Sequence, residues 1–325
     1  MEKWILKFFL FPVLTAAVIS FSPVPILADY PDKPVTILCG YAAGGANDMV
    51  SRAMAEALKK YFPKPMVVVN RPGAGATIAA SELFRSKPDG YTIGIIANTV
   101  MNLQPYRVKL PYTSPEDFTP IIRIADNPNL LAVKSEAPWK TLQELIAHSR
   151  ANPGKIRVGN SGIGTELHLI VEQLNIMAKS SFTSVPFSGS GESVPALLGG
   201  HVEALSTHPN NIVGHVSARK IRVLLVFEEK RNPLFPDAPS SLELGYDITM
   251  PVTYLFVGPK GLPSRIVTML HDAFRKGLED PIFHKPISSH GLIISYAGPL
   301  DAQKRLLKEY EANAKLVDIL NLRAK

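Results

Sequence analysis

The sequence contains a single cysteine, Cys39, among 325 residues. An intramolecular disulfide is therefore impossible, and the fold must rest on an apolar core, which a chain of this length can supply. Cys39 lies in an apolar run and is expected to be a small buried side chain rather than a reactive thiol. The lack of disulfides is compatible with a large exported protein.

Long basic tracts are also absent. The net charge is +7, but the basic residues are dispersed, and Lys59-Lys60 and Arg219-Lys220 are only pairs. No basic stretch with interleaved aromatic residues occurs, so the composition gives little support to nucleic-acid binding. The dispersed positive charge favours solubility and could steer anionic ligands toward the protein.

No complete catalytic motif is found. A serine elbow needs glycine two residues before and two residues after the serine. The sequence around Ser161 fails at the second position, where Ile163 stands. A phosphate-binding Walker loop and a His-Glu-x-x-His zinc motif are missing too. We therefore expect no enzyme, no cofactor and no metal. A secreted hydrolase that uses Ser161 and His168 stays open as the enzymatic alternative.

Residues 1–28 have the pattern of a secretory signal peptide. Lys3 and Lys7 precede an apolar core at residues 8–19, and Ala28 offers a small residue at the cleavage point. The core is shorter than the roughly 20 residues that a membrane-spanning helix needs. No later segment is long and apolar enough to span a bilayer. We expect a soluble protein that is exported to the periplasm and begins near residue 29.

The remaining chain of about 297 residues alternates apolar runs with helical patterns. This alternation predicts an α/β fold with mainly parallel sheets flanked by helices. Two such units fit the length, with crossovers near Asp126 and Thr249. The predicted first lobe comprises residues 29–125 and 250–325, and the second lobe comprises residues 126–249.

Two glycine-rich turns stand where a buried strand is predicted to pass into a helix. The first, Gly-Gly-Ala-Asn-Asp, covers residues 44–48, and the second, Ser-Gly-Ile-Gly-Thr, covers residues 161–165. Free N–H groups at a helix start attract anions, and glycine lets a ligand approach the backbone closely. Two such turns facing each other would clasp a carboxylate.

Several short motifs recur in an order that is typical of one known family. They are Tyr30-Pro31-Asp32-Lys33-Pro34-Val35, Tyr41-Ala42-Ala43-Gly44-Gly45 with Asp48, Asn70-Arg71-Pro72-Gly73-Ala74-Gly75, Asp89-Gly90-Tyr91-Thr92, Gly164-Thr165 with His168-Leu169, Leu197-Leu198-Gly199-Gly200 and Asp237-Ala238-Pro239. With this ordered set the chain resembles the periplasmic solute-binding receptors of tripartite tricarboxylate transporters, also called Bug receptors. The resemblance covers nearly all of the chain after the signal peptide.

The resemblance implies a periplasmic-binding-protein fold of type II, in which two lobes close on a ligand like a Venus flytrap. It implies a small carboxylate as ligand, either a di- or tricarboxylate or an aromatic acid. It also implies delivery to a membrane permease with a large and a small subunit. A sensory receptor for a membrane signalling partner would share this fold and ligand. A monomer is the default expectation for such a receptor.

The family's binding positions carry over residue by residue. They fall on Tyr41, Ala43, Gly44 and Gly45 in the first loop, on Asn98 and Thr99 after the third strand, and on Ser161, Gly164, Thr165 and His168 in the second lobe. Tyr41 either covers the ligand or packs in the core, and His168 either faces the cleft or holds the turn.

Two positions depart from the family pattern. Ala43 stands where the family usually has proline, and no acidic residue occurs near Thr207, where many members carry one. Thr207 would then lie at a neutral or basic distal pocket. Such a pocket suits a second carboxylate or a hydroxyl and weakens the case for an amino-acid ligand.

Overall fold

The computed structural model of the protein describes residues 30–187 and 189–323. The signal peptide expected at residues 1–28 lies outside the described residues. The strands are β1 (Val35–Cys39), β2 (Met66–Asn70), β3 (Thr92–Ala97), β4 (Phe118–Asn127), β5 (Leu130–Lys134), β6 (Ile156–Asn160), β7 (Phe182–Pro186), β8 (Ala204–Thr207), β9 (Ile221–Val226), β10 (Val252–Pro259) and β11 (Ile293–Ala297).

The helices mostly follow the strands and cover the sheets. They are α1 (Ala46–Leu58), α2 (Thr77–Phe84), α3 (Asn98–Asn102), α4 (Gln104–Arg107), α5 (Leu142–Ala151), α6 (Glu166–Ala178), α7 (Ser190–Leu198), α8 (Pro209–Ser217), α9 (Ser264–Leu278), α10 (Pro281–Ser289) and α11 (Pro299–Ile319). Short 3₁₀ turns occur at Ala74–Ala76 and Pro115–Asp117.

The strands form two sheets, with the orders β11-β4-β10-β3-β1-β2 and β7-β6-β8-β5-β9. The predicted two-lobed α/β fold is confirmed, but both sheets are mixed rather than mainly parallel. β1 pairs in parallel with β2 and β3, whereas β10 runs antiparallel to β3 and β4. Likewise, β6 is parallel to β7 and β8, and β5 is antiparallel to β8 and β9. The parallel pairs are joined by helical crossovers. The strands that follow a passage between the sheets, β5 and β10, run antiparallel to their neighbours.

The chain passes between the two sheets at two places that lie side by side. The first passage is residues 128–129, between β4 and β5, and the second is residues 227–251, between β9 and β10. The Asn129 side chain donates from Nδ2 to the Met250 carbonyl at 2.7 Å and so ties the passages together. The two halves of the molecule are thus joined by a narrow pair of connections.

Each half has its own apolar core. In the first half, the buried rings of Phe256 on β10 and Phe274 on α9 lie with their centroids 4.3 Å apart. Burying a side chain of this size stabilises the fold by about 1.5–3 kcal/mol. In the second half, separate apolar clusters form around Leu131 and Leu205, whose strands are neighbours in the second sheet. A smaller buried cluster joins the halves, because Leu169 of the second half packs there with Leu103, Leu316 and Val317 of the first.

Local signals explain several helix ends. Thr141, with Glu144 three residues later, has the sequence pattern of an N-cap residue, and its Oγ1 accepts from the Glu144 N–H at 3.2 Å at the start of α5. The sequence reading missed α8 and α10, which carry Pro209 and Pro281 near their N-termini. Pro209 suggests a break in a continuous helix, although the fixed φ of proline suits the first helical position. It also missed β11, whose side chains are only partly buried and show no clear alternation.

Candidate functional site

A cavity of about 220 Å³ lies between the two halves of the molecule. We call it the cleft cavity. Its lining residues are Tyr41, Gly45, Ala46, Asn47, Val252 and Tyr254 from the first half, Glu166, His208, Asn210 and Asn211 from the second half, and Asn127 at the end of β4. Both halves therefore contribute polar groups to one shared cleft.

The first glycine turn links β1 to α1 and forms one wall of the cleft cavity. Gly44 has a φ of +85°, which favours glycine, and its N–H donates to Asp48 Oδ2 at 3.0 Å. The Gly45 N–H donates to the Ala42 carbonyl at 3.3 Å. Hence both glycine N–H groups serve the loop itself. Ala43 lies exposed at the tip of the same turn.

The N-terminus of α1 is the part of this loop that stays open to an anion. Ala46 and Asn47 are its first two residues, both line the cleft cavity, and no side chain caps the helix. The N–H groups of a first helical turn have no partner within the helix and carry the positive end of its dipole. This helix start can therefore donate hydrogen bonds to a carboxylate.

Asp48 holds the loop in place. Its carboxylate accepts from Gly44 N–H, from Arg52 Nε at 3.0 Å and from Asn70 Nδ2 at 2.9 Å. Burial opposes its ionisation, but these hydrogen bonds outweigh that effect and keep the pKa of Asp48 below its usual value. The carboxylate is thus ionised and fully engaged with the loop.

In the second half, the glycine turn between β6 and α6 satisfies its own donors. Gly162 N–H donates to Asn160 Oδ1 at 3.0 Å, and Gly164 N–H donates to His168 Nδ1 at 3.0 Å. Thr165 N–H donates to the Gly162 carbonyl at 3.3 Å. These N–H groups are not free to bind a ligand in this arrangement.

The side chains of this turn also face one another. Thr165 caps α6 by accepting from the His168 N–H at 3.3 Å, and its hydroxyl donates to the Gly162 carbonyl at 2.8 Å. Ser161 Oγ donates to Thr165 Oγ1 at 3.4 Å. Burial lowers the pKa of His168, which favours a neutral ring whose Nδ1 can accept. His168 thus holds the turn, and no contact between Ser161 and His168 that would activate a serine occurs among these hydrogen bonds.

Arg107, at the end of α4 in the first half, reaches across to this turn. Its Nη2 donates to the Ile163 carbonyl at 2.7 Å. The guanidinium lies so close to Gly164 that a Cβ there would be 2.3 Å from Arg107 Nε. This contact joins the two halves beside the cleft cavity. Arg107 was not among the predicted site residues, because it belongs to no local motif.

Glu166 and His208 form an ion pair in the wall of the cleft cavity. His208 Nδ1 lies 3.2 Å from the Pro128 carbonyl, which can only accept, so Nδ1 carries a proton. His208 Nε2 lies 3.3 Å from Glu166 Oε1, within the distance of an ion pair. Burial opposes ionisation of Glu166, but the charge and hydrogen bond of His208 outweigh it and hold the pKa of that carboxyl below its usual value.

This pair corrects the expectation of a neutral or basic distal pocket without a carboxylate. No acidic residue stands near Thr207 in the sequence, but Glu166 in the first turn of α6 supplies one to the cavity. Glu166 directly follows Thr165, a predicted ligand contact. This adjacency was the one feature of the sequence that pointed to Glu166 as a residue of the site. Thr207 itself is fully buried behind the cavity, where its Oγ1 accepts from Asn211 Nδ2 at 3.2 Å.

Two tyrosines and an asparagine complete the cleft cavity. Burial raises the pKa of Tyr41 and Tyr254, so both hydroxyls keep their protons at neutral pH. Asn127 Nδ2 lies 3.4 Å from the Tyr254 hydroxyl. Tyr254 and Asn127 were not among the predicted contacts. Tyr254 lies on β10, which reaches the site only through the long return of the chain, and Asn127 lies at the end of β4 with no local motif.

Asn98 and Thr99 lie elsewhere. They line a separate cavity of about 90 Å³ beside α3 and α11. The Asn98 amide donates to the Pro251 carbonyl and to Glu309, and its oxygen accepts from the Thr253 N–H. These bonds hold the second passage between the sheets, so the structure does not bring Asn98 and Thr99 together with the two glycine turns.

Among residues 30–187 and 189–323, no group of three or more His, Cys, Asp or Glu side chains is placed to hold a metal ion. In the same part of the chain, no helix combines the length and apolar character that crossing a membrane requires.

The fold and the cleft cavity define a two-lobed substrate-binding receptor. The chain belongs to the tripartite tricarboxylate transporter receptors, because a family model described as "Tripartite tricarboxylate transporter family receptor" matches residues 50–322. The resemblance drawn from the sequence motifs is thereby confirmed. Receptors of this family are periplasmic, bind small carboxylates, work with tripartite tricarboxylate permeases and are not enzymes.

Individual relatives agree with this assignment. The chain is 37% identical over 276 residues to "UPF0065 protein in gbd 5'region" of Cupriavidus necator. This match covers 84% of this chain and 84% of that protein. The solved structure of R. palustris Rpa4515 with adipate is 27% identical, with a TM-score of 0.78 and coverage of 91% of this chain and 100% of that one. MatC from Rhodopseudomonas palustris with bound malate is 26% identical, with a TM-score of 0.73 and coverage of 89% and 100%.

Proposed function

We propose that this protein binds a small carboxylate in the cleft cavity and delivers it to a tripartite tricarboxylate permease. The observation that carries the proposal is the uncapped N-terminus of α1, which lines a cavity shared by both halves. The adipate and malate complexes of similar proteins support the same ligand class. The ligand's carboxylate accepts hydrogen bonds from the Ala46 and Asn47 N–H groups.

The other predicted contacts divide into two roles in this proposal. Tyr41 and Gly45 line the cleft cavity and contact the ligand directly. In the second half, Gly164, Thr165 and His168 hold the turn that carries Glu166 into the cavity. Ser161 supports Thr165 through its hydroxyl. Ala43 and Gly44 shape the first turn from its exposed side.

Closure follows from the arrangement of the chain. We assign residues 29–125 and 250–325 to one lobe and residues 126–249 to the other, with the two adjacent passages as the hinge. A ligand that contacts both lobes favours the closed form by its differential contacts. The bond from Arg107 to Ile163 adds a direct contact between the lobes.

The loaded receptor docks, as a monomer, on a permease with a large and a small membrane subunit. Uptake of radiolabelled ligand by cells that carry the permease genes, with and without the receptor gene, tests this step. Uptake that does not depend on the receptor contradicts a transport role.

The binding proposal is tested with ligand-stripped protein comprising residues 29–325. A panel of carboxylates and uncharged analogues is titrated while thermal unfolding is followed, and affinities are then measured by calorimetry. A ligand that binds only the folded state raises the unfolding midpoint with its concentration. Folded, empty protein that responds to no acid contradicts the proposal.

One substitution removes the proposed donor without removing a side chain. Ala46 is the first residue of α1, and Gly45 before it is extended, with φ −76° and ψ 169°. Both conformations accept Ala46→Pro, which deletes the N–H while the helix stays intact. A hydrogen bond to a charged group is worth about 1.5–3 kcal/mol, so affinity should fall about tenfold or more.

The matched control is Ser264→Pro, which places proline at the first position of α9, an exposed site away from the cleft cavity. Ligand affinity should be unchanged in this variant. Equal affinity of the Ala46→Pro variant and the unmodified protein, with both folded, would show that the α1 N-terminus does not bind the carboxylate.

A further inference from the structure

The two walls of the cleft cavity offer different hydrogen-bonding groups to a ligand, and the acidic group of the second wall, Glu166, is paired there with His208. The first half offers the positive end of α1 at Ala46 and Asn47, with no capping side chain. The second half offers the carboxylate of Glu166. Three N–H groups of the second glycine turn, those of Gly162, Gly164 and Thr165, donate within the turn and its helix. One wall of the cavity can therefore bind an anion, and the other wall can accept a hydrogen bond from a ligand donor.

Glu166 retains capacity to accept. A carboxylate has about four lone-pair sites. One of them accepts from His208 Nε2 at 3.3 Å, and the backbone N–H of Glu166 also bonds to its own carboxylate. The opposing charges of His208 and of the nearby Arg107 keep Glu166 ionised in a site that is largely removed from water. Lone pairs thus remain for a donor that enters the cavity.

The amide side chains in the wall point to the same chemistry. Asn47 and Asn127 line the cavity and are 6% and 3% exposed, respectively. The Oδ1 atom of each lacks a hydrogen-bond partner within the described part of the chain. A buried carbonyl oxygen without a donor is costly, and a ligand-borne donor could satisfy it.

We propose that this receptor selects carboxylates that also carry a hydrogen-bond donor, an ammonium or a hydroxyl group, and that Glu166 binds that donor. The ligand's carboxylate lies at the start of α1, and its donor points toward Glu166. A plain diacid would instead place its second carboxylate against Glu166, where two like charges in a poorly hydrated site repel each other. The inference rests on the proposed function and narrows its ligand class.

The test uses acids matched in carbon skeleton. Three triads serve as probes: propionate, lactate and alanine; succinate, malate and aspartate; and glutarate, 2-hydroxyglutarate and glutamate. Calorimetry with ligand-stripped protein gives the affinity of each acid. In at least one triad, we expect a donor-bearing member to bind at least tenfold more tightly than the plain acid. Comparing the affinity of the hydroxy acid with that of the amino acid of the same triad shows whether the protein prefers a hydroxyl or an ammonium group.

Substitution then assigns the preference to Glu166. Glu166→Gln keeps the shape of the side chain and removes its charge. In this variant, the donor-bearing acid should bind less than threefold more tightly than the plain acid of the same triad. The control is Glu136→Gln, which removes a charge from an exposed residue of the same half, outside the cleft cavity. The Glu136→Gln variant should favour donor-bearing acids over plain acids by the same factor as the unmodified protein.

The outcomes separate the two proposals. If plain acids bind as tightly as their donor-bearing partners, or if the preference survives in the Glu166→Gln variant, the role of Glu166 is refuted while carboxylate binding stands. If no acid of any triad, and none of the wider panel, binds to folded protein, the proposed function itself fails. The ranking in the unmodified protein decides the question even if the variant does not fold.

Discussion

Gly164 is a position where one added methyl group tests the contact between the two halves. Its φ is +69°, a conformation that L side chains rarely adopt. A Cβ there would lie 2.3 Å from Arg107 Nε and 2.4 Å from Arg107 Cζ. The Gly164→Ala substitution therefore strains the backbone and pushes the guanidinium away from the Ile163 carbonyl.

The two effects have separate magnitudes. A non-glycine residue in a left-handed conformation costs about 1–2 kcal/mol. Loss of the hydrogen bond from Arg107 to Ile163, which is partly exposed, costs about 1 kcal/mol. We expect Gly164→Ala to reduce the free energy of unfolding by about 2–3 kcal/mol, as the sum of these two contributions.

A double-mutant cycle separates them. In an Arg107→Ala background the hydrogen bond is already absent, so Gly164→Ala should cost only the backbone strain of about 1–2 kcal/mol. The free energy of unfolding is measured by urea titration, with an unchanged m-value as the check that the transition is comparable.

Gly245 provides a matched control. Its φ is +80°, and a Cβ there would meet nothing within 4 Å. Gly245→Ala should thus cost the same amount in both backgrounds. The reasoning is refuted if Gly164→Ala is neutral, or if its cost is the same with and without Arg107, since either result would show that this pair does not couple the halves.

Three further predictions concern stability. Asp126→Asn leaves the buried guanidinium of Arg123 without its ion-pair partner, so urea titration should show a loss of about 3–5 kcal/mol, and a loss under 1 kcal/mol would contradict it. Burial raises the pKa of Glu228 from 4.5 to about 8, so the folded state holds a proton that the unfolded state releases. Stability should accordingly fall as pH rises from about 4.5 to about 8, and unfolding midpoints measured across this range should show a weaker fall in Glu228→Gln. Thr165→Ala removes the cap on the His168 N–H and should cost about 1 kcal/mol by urea titration, whereas Thr165→Ser should cost less.

Much of the fold was accessible from sequence because its signals are local. The run Val35–Cys39 is apolar and short, so it predicted a buried strand, and Thr141 predicted a helix start through a hydrogen bond that spans three residues. The missed elements have weak or ambiguous local signals. β11 is partly exposed, and the proline at the start of α8 serves as a helix opener in one context and as a breaker in another.

The candidate site shows the same division. The sequence by itself determined the two glycine turns and the family, since both are recorded in short motifs along the chain. Only the tertiary structure decided which donors of those turns remain open. Gly164 N–H is taken by His168, which is close in sequence, whereas Ala46 opens a helix without a side-chain cap and lines a cavity whose other wall comes from the second half.

The charge of the cleft was likewise settled by tertiary structure. Glu166 and His208 are 42 positions apart in the chain and meet only because β6 and β8 are neighbours in the second sheet. Arg107 reaches Ile163 only through the packing of the two halves. Hydrogen bonds and ion pairs act over a few ångströms in space, whereas sequence patterns report neighbours along the chain, so the polarity of the site required the folded molecule.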